Sequence, residues 1–82
     1  SLPTIEWLYL GGTKIGDAGL AYLGEIPTLQ SICVPGTAVT DAGLTNLTRL
    51  PALKELDLRD TQVTRAGIER LKHALPNCLV MS

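Results

Sequence analysis

The chain repeats itself every two dozen residues, and no other feature narrows its possible folds as far. Pro3, Pro27 and Pro51 mark the frame at equal intervals, and Pro76 falls one position late. Aligned on it are PTIEWLYLGGTKIGDAGLAYLGEI (3–26), PTLQSICVPGTAVTDAGLTNLTRL (27–50) and PALKELDLRDTQVTRAGIERLKHAL (51–75), with PNCLVMS (76–82) as a partial fourth unit. The first two units share nine identical columns of 24 and the second and third share eight, so the period is real rather than compositional. Apolar character holds even where identity lapses, as in Ile5/Leu29/Leu53, Leu8/Ile32/Leu56, Leu10/Val34/Leu58 and Ile15/Val39/Val63. The 82 residues therefore read as one domain of three repeats and a fraction.

Within each unit the hydrophobic period changes. Leu8-x-Leu10, Ile32-x-Val34 and Leu56-x-Leu58 alternate, which predicts strands with one face in a core. Leu20–Leu23–Ile26, Leu44–Leu47–Leu50 and Ile68–Leu71–Leu75 have helical spacing. Thr40 and Thr64 stand where an N-cap hydroxyl accepts a backbone N–H, and Asp17 and Asp41 follow at the positive end of the helix dipole. Gly19, Gly43 and Gly67 in the first helical turn predict a close approach between neighbouring helices. The prolines that open each unit predict a helix stop and an extended entry into the strand.

One strand and one helix per two dozen residues is similar to the leucine-rich repeat signature, which stands here as Leu53-x-x-Leu56-x-Leu58-x-x-Thr61-x-Val63. The stretches Ile15-Gly16-Asp17-Ala18-Gly19-Leu20 and Thr37-Ala38-Val39-Thr40-Asp41-Ala42-Gly43-Leu44 resemble the TxVTDAGLxxL repeats of bacterial leucine-rich-repeat proteins, especially those of planctomycetes. The same element occurs in the cysteine-containing repeats of F-box substrate receptors, but Thr13, Thr37 and Thr61 occupy the column that holds Asn or Cys there. The resemblance implies an α/β fold, a short right-handed solenoid with parallel strands on a concave face and helices on a convex face. A Thr hydroxyl can still bond a neighbouring backbone group, so the Thr column is expected to be structural. Each repeat must bury its apolar face against its neighbours.

Composition excludes several classes. A net charge of −1 lacks the basic excess of a nucleic-acid binder. The apolar runs are too short for a membrane-spanning helix, and Ser1-Leu2-Pro3 does not open a signal peptide. A start without Met reads as a piece of a longer chain. Two cysteines do not make a disulfide scaffold, and free thiols lean weakly toward a reducing compartment.

Catalytic chemistry finds little support. Gly11-Gly12-Thr13-Lys14 lacks the spacing of a phosphate loop, and Gly12 and Gly36 share a column where the chain turns after the strand. His73 belongs to the third helix beside Arg70 and Lys72, on the opposite layer from Ser31 and Cys33, so no His-activated nucleophile is expected. One His and two separated Cys supply no metal site, and no cofactor is implied. Cys78 falls in the column of Ile5, Leu29 and Leu53 and reads as a small buried hydrophobe, whereas Cys33 points outward. Glu55, Asp57 and Asp60 lie on an open surface without the enclosure that acid–base catalysis needs.

Function is legible on the concave face. Its residues fall into rows Glu6–Gln30–Lys54, Trp7–Ser31–Glu55 and Tyr9–Cys33–Asp57, on strands about 4.8 Å apart. Trp7 and Tyr9 are the kind of anchor that protein interfaces use, although they could instead cap the end of the array. The expected function is a non-enzymatic module that presents this face to a protein or peptide, with no nucleic acid and no membrane as partner. The alternatives are an assembly or F-box-type receptor fragment, or a repeat unit that self-associates without a ligand. Ile5, Leu8, Leu10, Leu20 and Leu23 are expected to form an uncovered flank at the first repeat, through which copies could associate, while residues 76–82 add one strand, with Cys78 and Met81 packing on the third repeat.

Overall fold

The alternating triplets do form strands, and the computed structural model, which describes residues 5–82, places one in each repeat at the same position of the frame. In chain order the elements are β1 (Trp7–Tyr9), α1 (Asp17–Leu23), β2 (Ser31–Cys33), α2 (Asp41–Leu44), a 3₁₀ helix (Thr45–Arg49), β3 (Glu55–Asp57), α3 (Arg65–Ala74) and β4 (Leu79–Met81). The strands pair in parallel in the order β1-β2-β3-β4. Leu8, Ile32, Leu56 and Val80 align across them, as do Trp7, Ser31, Glu55 and Leu79, and Tyr9, Cys33, Asp57 and Met81. The ladder outlasts the strands: Gly12 N–H donates to Pro35 C=O at 2.8 Å and Gly36 N–H to Arg59 C=O at 2.9 Å.

The core lies between sheet and helices. Ile32 and Leu56 are fully buried from the sheet side and meet Val34, Leu58, Leu20, Leu44, Leu47 and Leu71. Each such side chain contributes about 1.5–3 kcal/mol by leaving water. Leu20 and Leu23 belong to this core rather than to the open flank expected of the first repeat, because their helix face turns toward the second repeat and brings Leu20 against Gly43. The uncovered part of that flank is smaller: Ile5 is 44% exposed, and Leu8 and Leu10 are half-buried.

The three helices differ because their sequences do. In the second repeat Thr45 and Thr48 hydroxyls donate to the carbonyls of Ala42 and Thr45, and Asn46 Nδ2 donates to Gly43 C=O. Such side chains compete for helix carbonyls, and the α-helix gives way to a 3₁₀ turn after Leu44. The third repeat has Glu69, Arg70, Leu71 and Lys72 instead, good helix formers, and holds ten α-helical residues.

One sequence expectation changes in detail. Pro27, Pro51 and Pro76 open turns rather than extended segments, with Leu29, Leu53 and Cys78 N–H donating back to Ile26, Leu50 and Leu75 C=O. It is the residue before proline that is extended, as at Leu50 (φ −81°, ψ 107°). Pro3 lies outside the described residues.

The aspartates act between repeats, not only on their own helix dipoles. Asp17 accepts the Thr40 N–H at 2.8 Å and the Thr40 hydroxyl at 2.5 Å, and Asp41 holds Thr64 in the same way. Thr64 also caps its own helix by accepting from Gly67 N–H at 3.2 Å, whereas the Thr40 hydroxyl caps no N–H. A methyl on Gly43 or Gly67 would collide with the Asp17 or Asp41 carboxylate, so these glycines make room for the clamp.

Candidate interaction face

The residues between the core columns emerge on the sheet face turned away from the helices. Among them Trp7, Tyr9 and Glu55 are exposed and Ser31 and Cys33 half-buried; Glu6 and Lys54, which directly precede strands, are also exposed and Gln30 is half-buried. Trp7 is 74% and Tyr9 72% exposed, two residues apart on β1 and therefore on one side of it. The Tyr9 ring leans over Gly11 toward Pro35: a Cβ at Gly11 would lie 2.7 Å from the Tyr9 hydroxyl and 3.0 Å from Pro35 Cγ.

Asp57 departs from the expected picture. It is only 4% exposed and does not offer its carboxylate to a partner. Arg59 folds over it, with Nε donating at 3.0 Å, Nη2 at 2.8 Å and the Arg59 N–H at 3.1 Å. These hydrogen bonds, with the guanidinium charge, hold the Asp57 carboxyl below its ordinary range against the opposing effect of burial. The i, i+2 spacing of Asp57 and Arg59 puts both on one side of the strand, and that was the available signal for this missed residue.

The last strand also brings residues that the three rows omitted. Leu79 extends the row of Glu55 and Met81 that of Asp57, while Val80, not Met81, enters the core column. Cys78 is half-buried at the core margin rather than fully enclosed; burial pushes its thiol pKa up, and Glu55 adds to the shift. Cys33 and Cys78 are both free thiols.

On the helix side, a hollow of about 200 Å³ lies between α2 with its 3₁₀ extension and α3, lined by Leu44, Thr48, Arg70 and Leu71 among others. At the corresponding place between the first two repeats Gly24 stands in the column of Thr48, and a Cβ there would lie 2.5 Å from the Asn46 carbonyl oxygen. Among the described residues no three of His, Cys, Asp and Glu converge as metal ligands would, and no helix is long and apolar enough to cross a membrane.

Strand, turn and helix stacked in register on a parallel sheet, with an aromatic pair on the open face, define a repeat protein of the α/β class. A family described as Leucine Rich repeat matches residues 1–24 and 49–72, more than half of the sequence, and the chain belongs to the leucine-rich-repeat family. Members of this family generally mediate protein–protein interactions and are typically not enzymes. Comparison with curated proteins returns no match.

Proposed function

We propose that the chain is a non-enzymatic interaction module: a short right-handed solenoid whose concave face presents Glu6, Trp7, Tyr9, Gln30, Ser31, Cys33, Lys54 and Glu55 to a protein or peptide partner. The exposure of Trp7 and Tyr9 side by side on that face carries the reading. Each aromatic ring buries a large area on contact while giving up little rotamer freedom, and an exposed pair on a rigid strand is already oriented for it. The test is a photocrosslinker at position 31, compared with the same protein carrying Trp7→Ala and Tyr9→Ala. Both side chains are exposed, so the variant keeps its melting temperature, and the crosslinked partner is lost. An equal yield from the variant would place the partner elsewhere.

A second reading is favoured by Ile5, 44% exposed beside the half-buried Leu8 and Leu10: copies of the chain associate through the first repeat. Sedimentation at high protein concentration tests it, and a monodisperse monomer would end it.

A further inference from the structure

The outward rows of the sheet are uneven in height. In the row of Trp7, Ser31 and Glu55 and in that of Tyr9, Cys33 and Asp57, the middle residue is the small one. β2 is therefore the floor of a trough that runs along the strands. Its walls are the β1 aromatics on one side and, on the other, Glu55 and the Arg59 side chain that covers the buried Asp57. They stand two strand spacings apart, about 10 Å, which is room for one extended chain.

The two rows differ in charge. Asp57 is buried under Arg59, which donates to it through Nε at 3.0 Å and Nη2 at 2.8 Å, so the row of Tyr9 offers no free carboxylate. Glu55 is exposed and, among the described residues, makes no ion pair. Its row alone sets a free carboxylate opposite an exposed indole. The exposed Glu6 and Lys54 precede the strands and are one residue out of phase with Trp7 and Glu55, so neither belongs to this row. A cation placed above Ser31 would have an aromatic face on one side and a carboxylate on the other, the two groups that attract it most strongly at a surface.

We propose that this trough binds an extended peptide carrying an Arg or Lys that sits over Ser31 between Trp7 and Glu55, with an apolar residue two positions away resting on Tyr9 above Cys33. Two residues of an extended chain span about 6.6 Å, the same step that separates Trp7 from Tyr9, so both contacts are made in one register. Arg suits the slot better than Lys, because its planar guanidinium stacks on the indole while its edge meets the carboxylate. The inference rests on the sheet face being the partner surface.

Capped hexapeptides with Arg and Leu two residues apart, in both orders, are the probes, alongside matched peptides with Gln or Glu in place of Arg. Trp7 is the only tryptophan of the chain, so its fluorescence reports occupancy directly, and amide NMR shifts at residues 30–33 report the trough. The Arg peptide is expected to bind about tenfold more tightly than the Gln peptide, and Glu55→Gln to remove that advantage. Glu55→Lys should turn the preference toward the Glu peptide, while an unchanged melting temperature shows that the variants remain folded. Equal binding of all three peptides at residues 30–33 would overturn the cation slot and leave the sheet face as the partner surface. Binding by none of them would overturn the peptide trough, and the crosslinking at position 31 then decides the wider reading on its own.

Discussion

One backbone column shows how a single residue can be strained in one repeat and relaxed in the others. Gly12 and Gly36 turn the chain after their strands with φ of 70° and 68°, and Asp60 does the same at 58°. Only glycine visits this region without a Cβ penalty, although Asp tolerates it better than most. Asp60→Gly should therefore raise stability by up to about 1 kcal/mol, and Gly36→Ala should lower it by about 1–2 kcal/mol although a methyl there meets nothing closer than 3.8 Å. Thermal melts showing the same sign for both would reject the strain account. The threonine column behaves differently along the array. Thr13, Thr37 and Thr61 each donate to the carbonyl three residues back, at 2.7, 2.7 and 2.6 Å, so the hydroxyls close turns within their own repeats rather than linking repeats. Thr37 is buried and Thr13 exposed, so Thr37→Val should cost about 1–3 kcal/mol and Thr13→Val much less. Equal losses of melting temperature would show that burial of the unmet carbonyl is not what matters. Asp57 sets a pH dependence: its folded pKa lies below the ordinary 3.8 of the free group, held there first by the Arg59 hydrogen bond. Its contribution to stability is therefore complete above the unfolded value and is lost as pH falls through the folded one. Urea midpoints from pH 6 to pH 2 should fall less steeply for Asp57→Asn than for the parent chain, and parallel curves would deny the pair any such role.

Between elements, the Asp–Thr clamp and the helix glycine form one device. At Gly67 the nearest obstacles to a side chain are atoms of the Asp41 carboxylate, and that carboxylate is pinned by the Thr64 N–H and hydroxyl. Gly67→Ala alone should destabilise, because the methyl can be seated only by breaking those bonds. In the background of Asp41→Ala the obstacle is gone, and Gly67→Ala should stabilise by up to about 1 kcal/mol through helix propensity. A double-mutant cycle measures the coupling, and additive effects would separate the glycine from the clamp. The array also shows where the device stops. Arg65 occupies the position of Asp17 and Asp41 in the third repeat, and Gly16 that of Thr40 and Thr64 in the first, so each junction between full repeats carries one clamp.

For the molecule as a whole, stability is a property of neighbouring repeats rather than of any one of them. Leu56 is fully buried in the third strand, with Ile32 and Val80 on either side in register. Leu56→Ala should cost about 2–5 kcal/mol, a large share of what so short an array can hold, whereas Lys54→Ala two residues before it should be nearly neutral. Urea midpoints that coincide for the two variants would contradict the inward and outward assignment of the strand.

The repeat period, the strand register, the inward columns and the alignment of Trp7 with Ser31 and Glu55 and of Tyr9 with Cys33 and Asp57 were legible in the sequence, because each depends on local spacing that stacking merely repeats. Chain-local side-chain chemistry was legible in part: the Thr column was expected to bond nearby backbone, and it does. Other features depend on distances across the fold. Whether Asp41 serves its own helix or Thr64 is settled only when the starts of α2 and α3 come together. Asp57 looks like any exposed strand carboxylate until Arg59 is seen to lie along it. Leu20 and Leu23 read as a bare flank in a list of apolar positions, yet the rotation of α1 toward the second repeat buries them. Periodicity determines which residues share a face; the direction in which that face turns, and which polar groups meet across it, is decided by packing in three dimensions.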